Sequence, residues 1–176
     1  ATLTPAGYFK RMFGCSETAA ELILSSPFPP ENLLIAIAGN VSTLYARREK
    51  TKDEIAQIIL SMIQQKKGNY LVFFPSYEYL KLVHESFSAL DAHVDIITQI
   101  AGMTETEREW FISRFSRDNR ETLVGFAVLG GVFGEGIDLA GDRLAGAVIV
   151  GVGLPALCLE RDLIREYYAV QSGEGF

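Results

Sequence analysis

The sequence contains few of the residues that build metal centres or disulfide frameworks. Two cysteines, Cys15 and Cys158, and two histidines occur among 176 residues. The cysteines lie far apart and show no C-x-x-C spacing, which argues against a zinc site, an iron–sulfur cluster and a disulfide framework within this chain. We therefore predict no metal ligands here and a reducing, cytoplasmic setting.

Long hydrophobic runs and net positive charge are also missing. No stretch approaches the ~20 uninterrupted apolar residues that a membrane span needs, and "ATLTPAGYFK" lacks the basic start and apolar centre of a signal peptide. We therefore expect no membrane partner. The formal net charge of −6 gives no overall electrostatic attraction to nucleic acid, so any such binding must come from a local surface. The first residue is not methionine, and we expect a fragment of a longer protein.

Apolar material is abundant, at 48% of the residues, and it is organised in alternating segments. The runs "NYLVFFP", "HVDIITQI", "TLVGFAVL" and "LAGAVIVGV" are typical of buried strands, and amphipathic helical segments separate the first three. Capping-box spacing occurs in the second of these helices, at Thr104 and Glu107, and in a further predicted helix before the first run, at Thr51 and Glu54. The pattern predicts one α/β domain over residues 1–176, with three layers: a central, mostly parallel sheet and helices on both faces. Residues 22–39 predict two short strands around a proline-rich turn.

In an open parallel sheet, ligands bind at the carboxyl ends of the strands. Three loops are therefore of interest: "PSYEY", "GGVFGEGIDLAGD" and "GVGLPA". The second, residues 130–142, holds five glycines and three carboxylates. Its glycines serve either tight backbone turns alone or the close approach of phosphates and sugar hydroxyls to backbone amides.

Two shorter motifs each allow two interpretations. The hydroxyl of Ser76 either caps the helix after "LVFFP" or binds a phosphate together with the free amides of the helix end. The motif "GVGLPA", from Gly151 to Ala156, fits the G-x-G-x-x-A pattern between a strand and a helix. A dinucleotide-binding oxidoreductase is therefore an alternative function, although Pro155 removes one backbone amide.

Several segments, taken in order, resemble the motifs of one helicase family. "ATLTP" resembles motif III, "YLVFFPSYEYL" resembles motif IV, and "GGVFGEGIDLAGDRLAGAVIVGVGLP" resembles motif V with its following strand. Over nearly its whole length the chain resembles the second RecA-like motor domain of the DinG/XPD-like superfamily 2 DNA helicases. The resemblance implies an ATP-dependent, 5′ to 3′ DNA helicase of repair or replication. Its implied partners are single-stranded DNA, ATP with Mg²⁺, and a first RecA-like domain of the same chain.

The resemblance also implies two groups of site residues. The first lies on the nucleotide side or couples hydrolysis to domain movement, and consists of Thr2, Thr4, Glu135, Gly136 and Asp138. The second contacts DNA, and consists of Phe74, Ser76, Tyr77, Gly131 and Phe133. Within the first group, Glu135 would help to link the nucleotide and DNA sites.

Some parts of the family pattern are absent from these residues. Gly134 stands where the family usually has serine, and motif VI, with its phosphate-stabilising arginine, does not occur. The first domain is also absent, with its lysine loop, its magnesium-binding acids and, in many members, an iron–sulfur cluster. An arginine finger contributes roughly 10³–10⁵ to the rate of phosphoryl transfer, so we expect this chain alone not to hydrolyse ATP. A non-catalytic interaction domain with a helicase fold is a second alternative.

Overall fold

The four apolar runs form the four strands of one parallel sheet. The structure, a computed structural model, describes residues 4–16, 18–90, 93–134, 136–153 and 158–172. In chain order the strands are β1 (Asn69–Phe74), β2 (Asp95–Thr98), β3 (Leu123–Val128) and β4 (Gly146–Ile149). They lie side by side in the order β2-β3-β1-β4, and every neighbouring pair is parallel.

Among the described residues the chain forms five α-helices: α1 (Ala6–Met12), α2 (Arg48–Ile63), α3 (Tyr77–Ser88), α4 (Glu105–Ser113) and α5 (Leu159–Ser172). The capping box predicted at Thr104 and Glu107 is confirmed at the start of α4. The box predicted at Thr51 is wrong, because a 3-10 turn before α2 leads directly into that helix and starts it earlier. The Thr51 hydroxyl instead donates to the carbonyl oxygen of Ser42 at 2.8 Å.

Alternate residues of the central strands pack on opposite faces of the sheet, as the two-residue period of a strand requires. Val72 and Phe126 join the apolar cluster formed with α2 and α3. Leu71 and Ala127 join a second cluster, on the face covered by α4. Helices therefore lie on both faces, and the predicted three-layer α/β architecture with a parallel sheet is confirmed.

The strand order makes the chain reverse direction across the sheet. The path from β1 through α3 reaches β2 at one edge, and the path from β2 through α4 returns to β3 beside β1. Because parallel crossovers are right-handed, this reversal puts α3 and α4 on opposite faces. Residues 129–145 then lead from β3 to β4 on the face of α4, where Phe133, Ile137 and Leu139 join its cluster.

The described chain divides into two units, residues 1–38 and 39–176, and the sheet belongs to the second. The first contains α1 and an ion pair of 2.9 Å between Lys10 and Glu21. The prediction of two short strands in residues 22–39 is wrong. That segment has one 3-10 turn, Pro30–Asn32, and its large apolar side chains are exposed, so no burial favours a strand there. Among the described residues no helix is long and apolar enough to cross a membrane.

Candidate functional site

The fold places a crevice between the carboxyl ends of β1 and β3. These two strands are neighbours, yet β1 continues into α3 on one face while β3 continues into the connection on the other. Diverging connections of this kind leave the carboxyl ends of both strands open, and ligands of open α/β sheets bind there. Ser76 and Tyr77 follow β1 at this point, and Gly131 follows β3.

Ser76 caps α3, as one of its two predicted roles requires. Its side-chain oxygen accepts a hydrogen bond from the backbone N–H of Tyr79 at 3.3 Å. Tyr79 packs edge-on against Phe74, with ring centroids 5.7 Å apart, and burial raises the pKa of its phenol. The cap therefore fixes the start of α3, where Tyr79 packs on Phe74. The side chain that follows Ser76, Tyr77, is thereby held at the crevice.

Gln99 joins the segments around the crevice, although it belongs to none of the motifs that the sequence carries. It follows β2 directly and is 4% exposed. Its Oε1 accepts from the backbone N–H of Val128 at 2.8 Å, and its Nε2 donates to the hydroxyl of Tyr77 at 3.0 Å. The sequence did carry a signal for Gln99 as a site residue, because it is a polar residue directly after a predicted buried parallel strand.

Gly131 lies directly against this amide. A Cβ placed on Gly131 would come within 3.1 Å of the Gln99 Nε2 and within 3.0 Å of the carbonyl oxygen of Val128. A larger residue would therefore push the amide out of position. Two of the five predicted DNA-contacting residues, Tyr77 and Gly131, thus lie against Gln99, and a third, Ser76, directly precedes Tyr77.

The other two predicted DNA-contacting residues, Phe74 and Phe133, have buried side chains. The Phe74 ring is fully buried and stacks on Phe126, with centroids 5.8 Å apart. The Phe133 ring stacks on Phe111 at 4.3 Å. In this conformation each of the two residues offers a ligand only its backbone, because their rings belong to the core.

Gly136 and Asp138 line a different cavity, of about 650 Å³, between α4 and the connection from β3 to β4. Gly136 has φ of +76°, a left-handed conformation that favours glycine. Asp138 is exposed, and no hydrogen bond or ion pair from a described residue reaches its carboxylate. That carboxylate is free to accept hydrogen bonds from a ligand.

Arg143 holds the backbone on which Asp138 lies. Its Nη1 donates to the carbonyl oxygen of Asp138 at 3.0 Å, and its Nε donates to that of Phe115 at 2.9 Å. A third bond, from Nη2, reaches the carbonyl oxygen of Ile112 at 3.4 Å. Arg143 thus ties the connection to the end of α4, a role that sequence reasoning missed because the arginine looks like an ordinary surface charge.

The remaining predicted site residues are Thr2, Thr4 and Glu135. Thr4 belongs to the first unit and is exposed there. Thr2 and Glu135 lie outside the described residues, as do positions 154–156 of the "GVGLPA" motif. Packing explains why positions 151 and 153 of that motif are glycine. A Cβ on Gly151 would come within 3.0 Å of Thr43, and a Cβ on Gly153 would come within 2.9 Å of Leu129. Among the described residues no cluster of three or more metal-ligand side chains occurs.

Comparison with known proteins gives consistent matches. A family model described as Helicase C-terminal domain matches residues 59–176. A probable ATP-dependent helicase of Methanocaldococcus jannaschii is 28% identical over 167 residues, covering 88% of this chain and 24% of the relative. The ATP-dependent DNA helicase YoaA of Haemophilus influenzae is 28% identical over 164 residues, covering 91% of this chain and 24% of the relative. The human ATP-dependent DNA helicase DDX11 is 27% identical over 182 residues, covering 88% and 18%. The chain thus spans about a quarter or less of the length of these relatives.

Proposed function

This chain belongs to the helicase C-terminal domain family, and from that premise we propose that it is the second motor domain of an ATP-dependent DNA helicase. In this proposal the crevice between β1 and β3 grips one DNA strand, and the cavity beside α4 faces the nucleotide. ATP binding closes the domain on a first RecA-like domain, and hydrolysis opens it, so that the grip alternates along the strand.

The observation that carries the proposal is the separation of the predicted residues into two places. Tyr77 and Gly131 lie against Gln99 at the crevice, and Ser76 directly precedes Tyr77. Gly136 and Asp138 line the cavity beside α4 instead. The connection that follows β3 contributes to both places, so a movement caused at one is transmitted along a single segment to the other.

The grip would fall mainly on the sugar–phosphate backbone. The groups exposed at the crevice are hydroxyls and small-residue backbone, which suit phosphate oxygens and carry no base-specific pattern. We therefore propose binding that is insensitive to sequence. The net charge of −6 is compatible with this, because the contact is confined to one edge of the sheet.

These residues would supply only part of an ATP site. The sequence contains no G-x-x-x-x-G-K-S/T phosphate loop, so the phosphates and Mg²⁺ must be held mainly elsewhere in the protein. The cavity beside α4 fits a contributing role, because the free carboxylate of Asp138 can accept hydrogen bonds from sugar hydroxyls. The nucleotide supplies a phosphoryl group whose transfer to water drives the cycle. The part of this chain is to orient that nucleotide and to respond to its presence.

The test is the DNA-stimulated ATPase activity of the intact protein that contains this chain. We expect single-stranded DNA to stimulate turnover, and Asp138→Ala to lower kcat by roughly tenfold or more, since the variant removes a group aimed at the nucleotide. Asp142→Ala is the matched control: Asp142 is also an exposed acid of the same connection, and its loss should leave turnover unchanged. Normal turnover in Asp138→Ala would refute its assignment. An intact protein without ATPase activity would favour the non-catalytic interaction domain.

A further inference from the structure

Gln99 is buried where the end of β3, the start of α3 and the connection after β3 meet, and its amide reaches an exposed tyrosine. We propose that Gln99 is a positioning residue that orients the Tyr77 hydroxyl as a hydrogen-bond donor to a phosphate of the bound strand. This inference rests on the proposed function, because the phosphate belongs to the DNA that the crevice would grip. It adds a residue and a defined direction of hydrogen bonding to that site.

The orientation of the Gln99 amide follows from its partner on β3. The backbone N–H of Val128 can only donate, so the atom of Gln99 that lies 2.8 Å from it must be the carbonyl oxygen, Oε1. The amide nitrogen, Nε2, is then the atom that faces Tyr77. No flip of the amide is compatible with the Val128 bond, because a flip would place two donors against each other.

The direction of the Tyr77 bond follows in turn. An amide nitrogen has no acceptor lone pair, so the Tyr77 oxygen accepts from Gln99 and its own proton is left to donate elsewhere. Tyr77 is 39% exposed, and its hydroxyl hydrogen bonds to no other described residue. A phenol fixed in this way presents a donor to the ligand. Phosphate oxygens of a nucleic-acid backbone accept hydrogen bonds and cannot donate them, so they are the matching chemistry.

Gly131 makes this arrangement possible on the side of β3. The amide of Gln99 passes so close to the Cα of Gly131 that a methyl group there would meet Nε2 at 3.1 Å. The backbone after β3 and the Tyr77 hydroxyl are therefore held at a fixed spacing by one buried side chain. A strand that contacts both would meet a preorganised surface, which lowers the entropic cost of binding.

The test is a double-mutant cycle on single-stranded DNA affinity, measured with the intact protein and a fluorescent oligothymidine. Tyr77→Phe removes the donor and should weaken binding roughly tenfold, as expected for a hydrogen bond to a charged group. Gln99→Met, which keeps the length but removes both polar atoms, should weaken it roughly threefold, because the hydroxyl loses its fixed direction. In the Tyr77→Phe background Gln99→Met should change affinity no further, since Gln99 acts on DNA through that hydroxyl.

The outcomes separate this inference from the proposed function. Equal loss from Gln99→Met in both backgrounds would overturn the inference, because Gln99 would then act on the fold alone. No strand binding by the wild-type protein would overturn the proposed function and the inference with it. Should Gln99→Met not fold, Gln99→Glu replaces it. The carboxylate still accepts from Val128 but also accepts a hydrogen bond from the Tyr77 hydroxyl, which then no longer donates to DNA. Affinity should therefore fall, and fall less in the Tyr77→Phe background. Gln57→Met, on the exposed face of α2, is the matched control and should bind normally.

Discussion

Two buried side-chain amides, at opposite ends of the sheet, show how the same chemical group serves two purposes. Asn69 is 1% exposed at the start of β1, and Gln99 is 4% exposed just after β2. The Nδ2 of Asn69 donates to the carbonyl oxygens of Ser116 at 2.8 Å and Arg143 at 3.1 Å. Its Oδ1 accepts from the Nδ2 of Asn119 at 2.8 Å.

The networks differ in where they end. Every bond of Asn69 leads to a group of the surrounding loops, so its network closes within the protein. The network of Gln99 ends at the hydroxyl of Tyr77, which accepts from the amide and keeps its own proton to donate elsewhere. A closed network holds loops together, whereas an open one presents a preorganised group to a ligand. We therefore propose that the amino end of the sheet has a structural role and that the carboxyl end binds the ligand.

Removing Asn69 should have the largest effect on stability. Asn69→Ala removes the partner of two backbone carbonyls and one of the two acceptors of the Asn119 amide, and each unpaired buried group costs free energy. We expect the free energy of unfolding to fall by about 3 kcal/mol, measured by urea denaturation of this chain. Single-stranded DNA affinity of the remaining folded molecules should not change.

Asn119→Ala provides the control for this network. It removes one bond to Asn69 and one to the carbonyl oxygen of Arg114, and should cost less than Asn69→Ala because Asn69 keeps its two backbone acceptors. A folded Asn69→Ala protein that binds DNA tenfold more weakly would break the proposed division between the two ends.

Two helix caps test the same division between the ends of the sheet, and their removal should have a smaller effect on the free energy of unfolding. Ser76 caps α3 at the crevice, and Thr104 caps α4 with its capping box. Alanine at either position should lower the free energy of unfolding by about 1 kcal/mol. Only Ser76→Ala should also weaken DNA binding, because Ser76 lies next to Tyr77 at the crevice.

Ser76→Asp separates the capping role from the binding role. Aspartate caps helices as well as serine does, so the melting temperature should stay close to that of the wild type. Its negative charge at the crevice should repel phosphate and weaken strand binding. If Ser76→Asp bound DNA normally, Ser76 would be a cap alone, the simpler of the two roles that the sequence allowed.

Much of this fold could be predicted because the four strands are short apolar runs separated by clear helix signals. The family was also identified correctly from the ordered motifs, and the matched C-terminal domain confirms it. The start of α2 was misplaced because Thr51 has a helix-capping pattern in the sequence but finds a better acceptor in Ser42, a tertiary contact.

The site was predicted less completely, for a physical reason. Motif resemblance indicates which loop residues lie at a site, but it does not indicate which of their side chains are buried in the core. Phe74 and Phe133 were therefore expected to contact DNA, although their rings are buried. Gln99 and Arg143 were missed because their importance lies in hydrogen bonds to distant backbone groups. Such bonds become visible only when the strands are placed side by side.

The smallest effect should come from His84, which lies on the helix that begins at Tyr77. Its ring packs edge-on against Phe126 at 5.4 Å, and burial lowers its pKa below the usual value of 6.5, partly offset by Glu85. The unfolded chain therefore takes up this proton more readily than the folded one. The neutral ring contributes fully to the free energy of unfolding above pH 6.5. This contribution is lost as the pH falls through the lowered pKa of the folded state. Because the ring is only half-buried, we expect the loss in the free energy of unfolding to stay below about 1 kcal/mol.

The measurement is the urea midpoint at pH values above 6.5 and below the lowered pKa. The midpoint should fall toward acid in the wild type and fall less in His84→Gln. Equal slopes would mean that His84 does not titrate differently on folding, and the pH response of α3 would then have to come from another group.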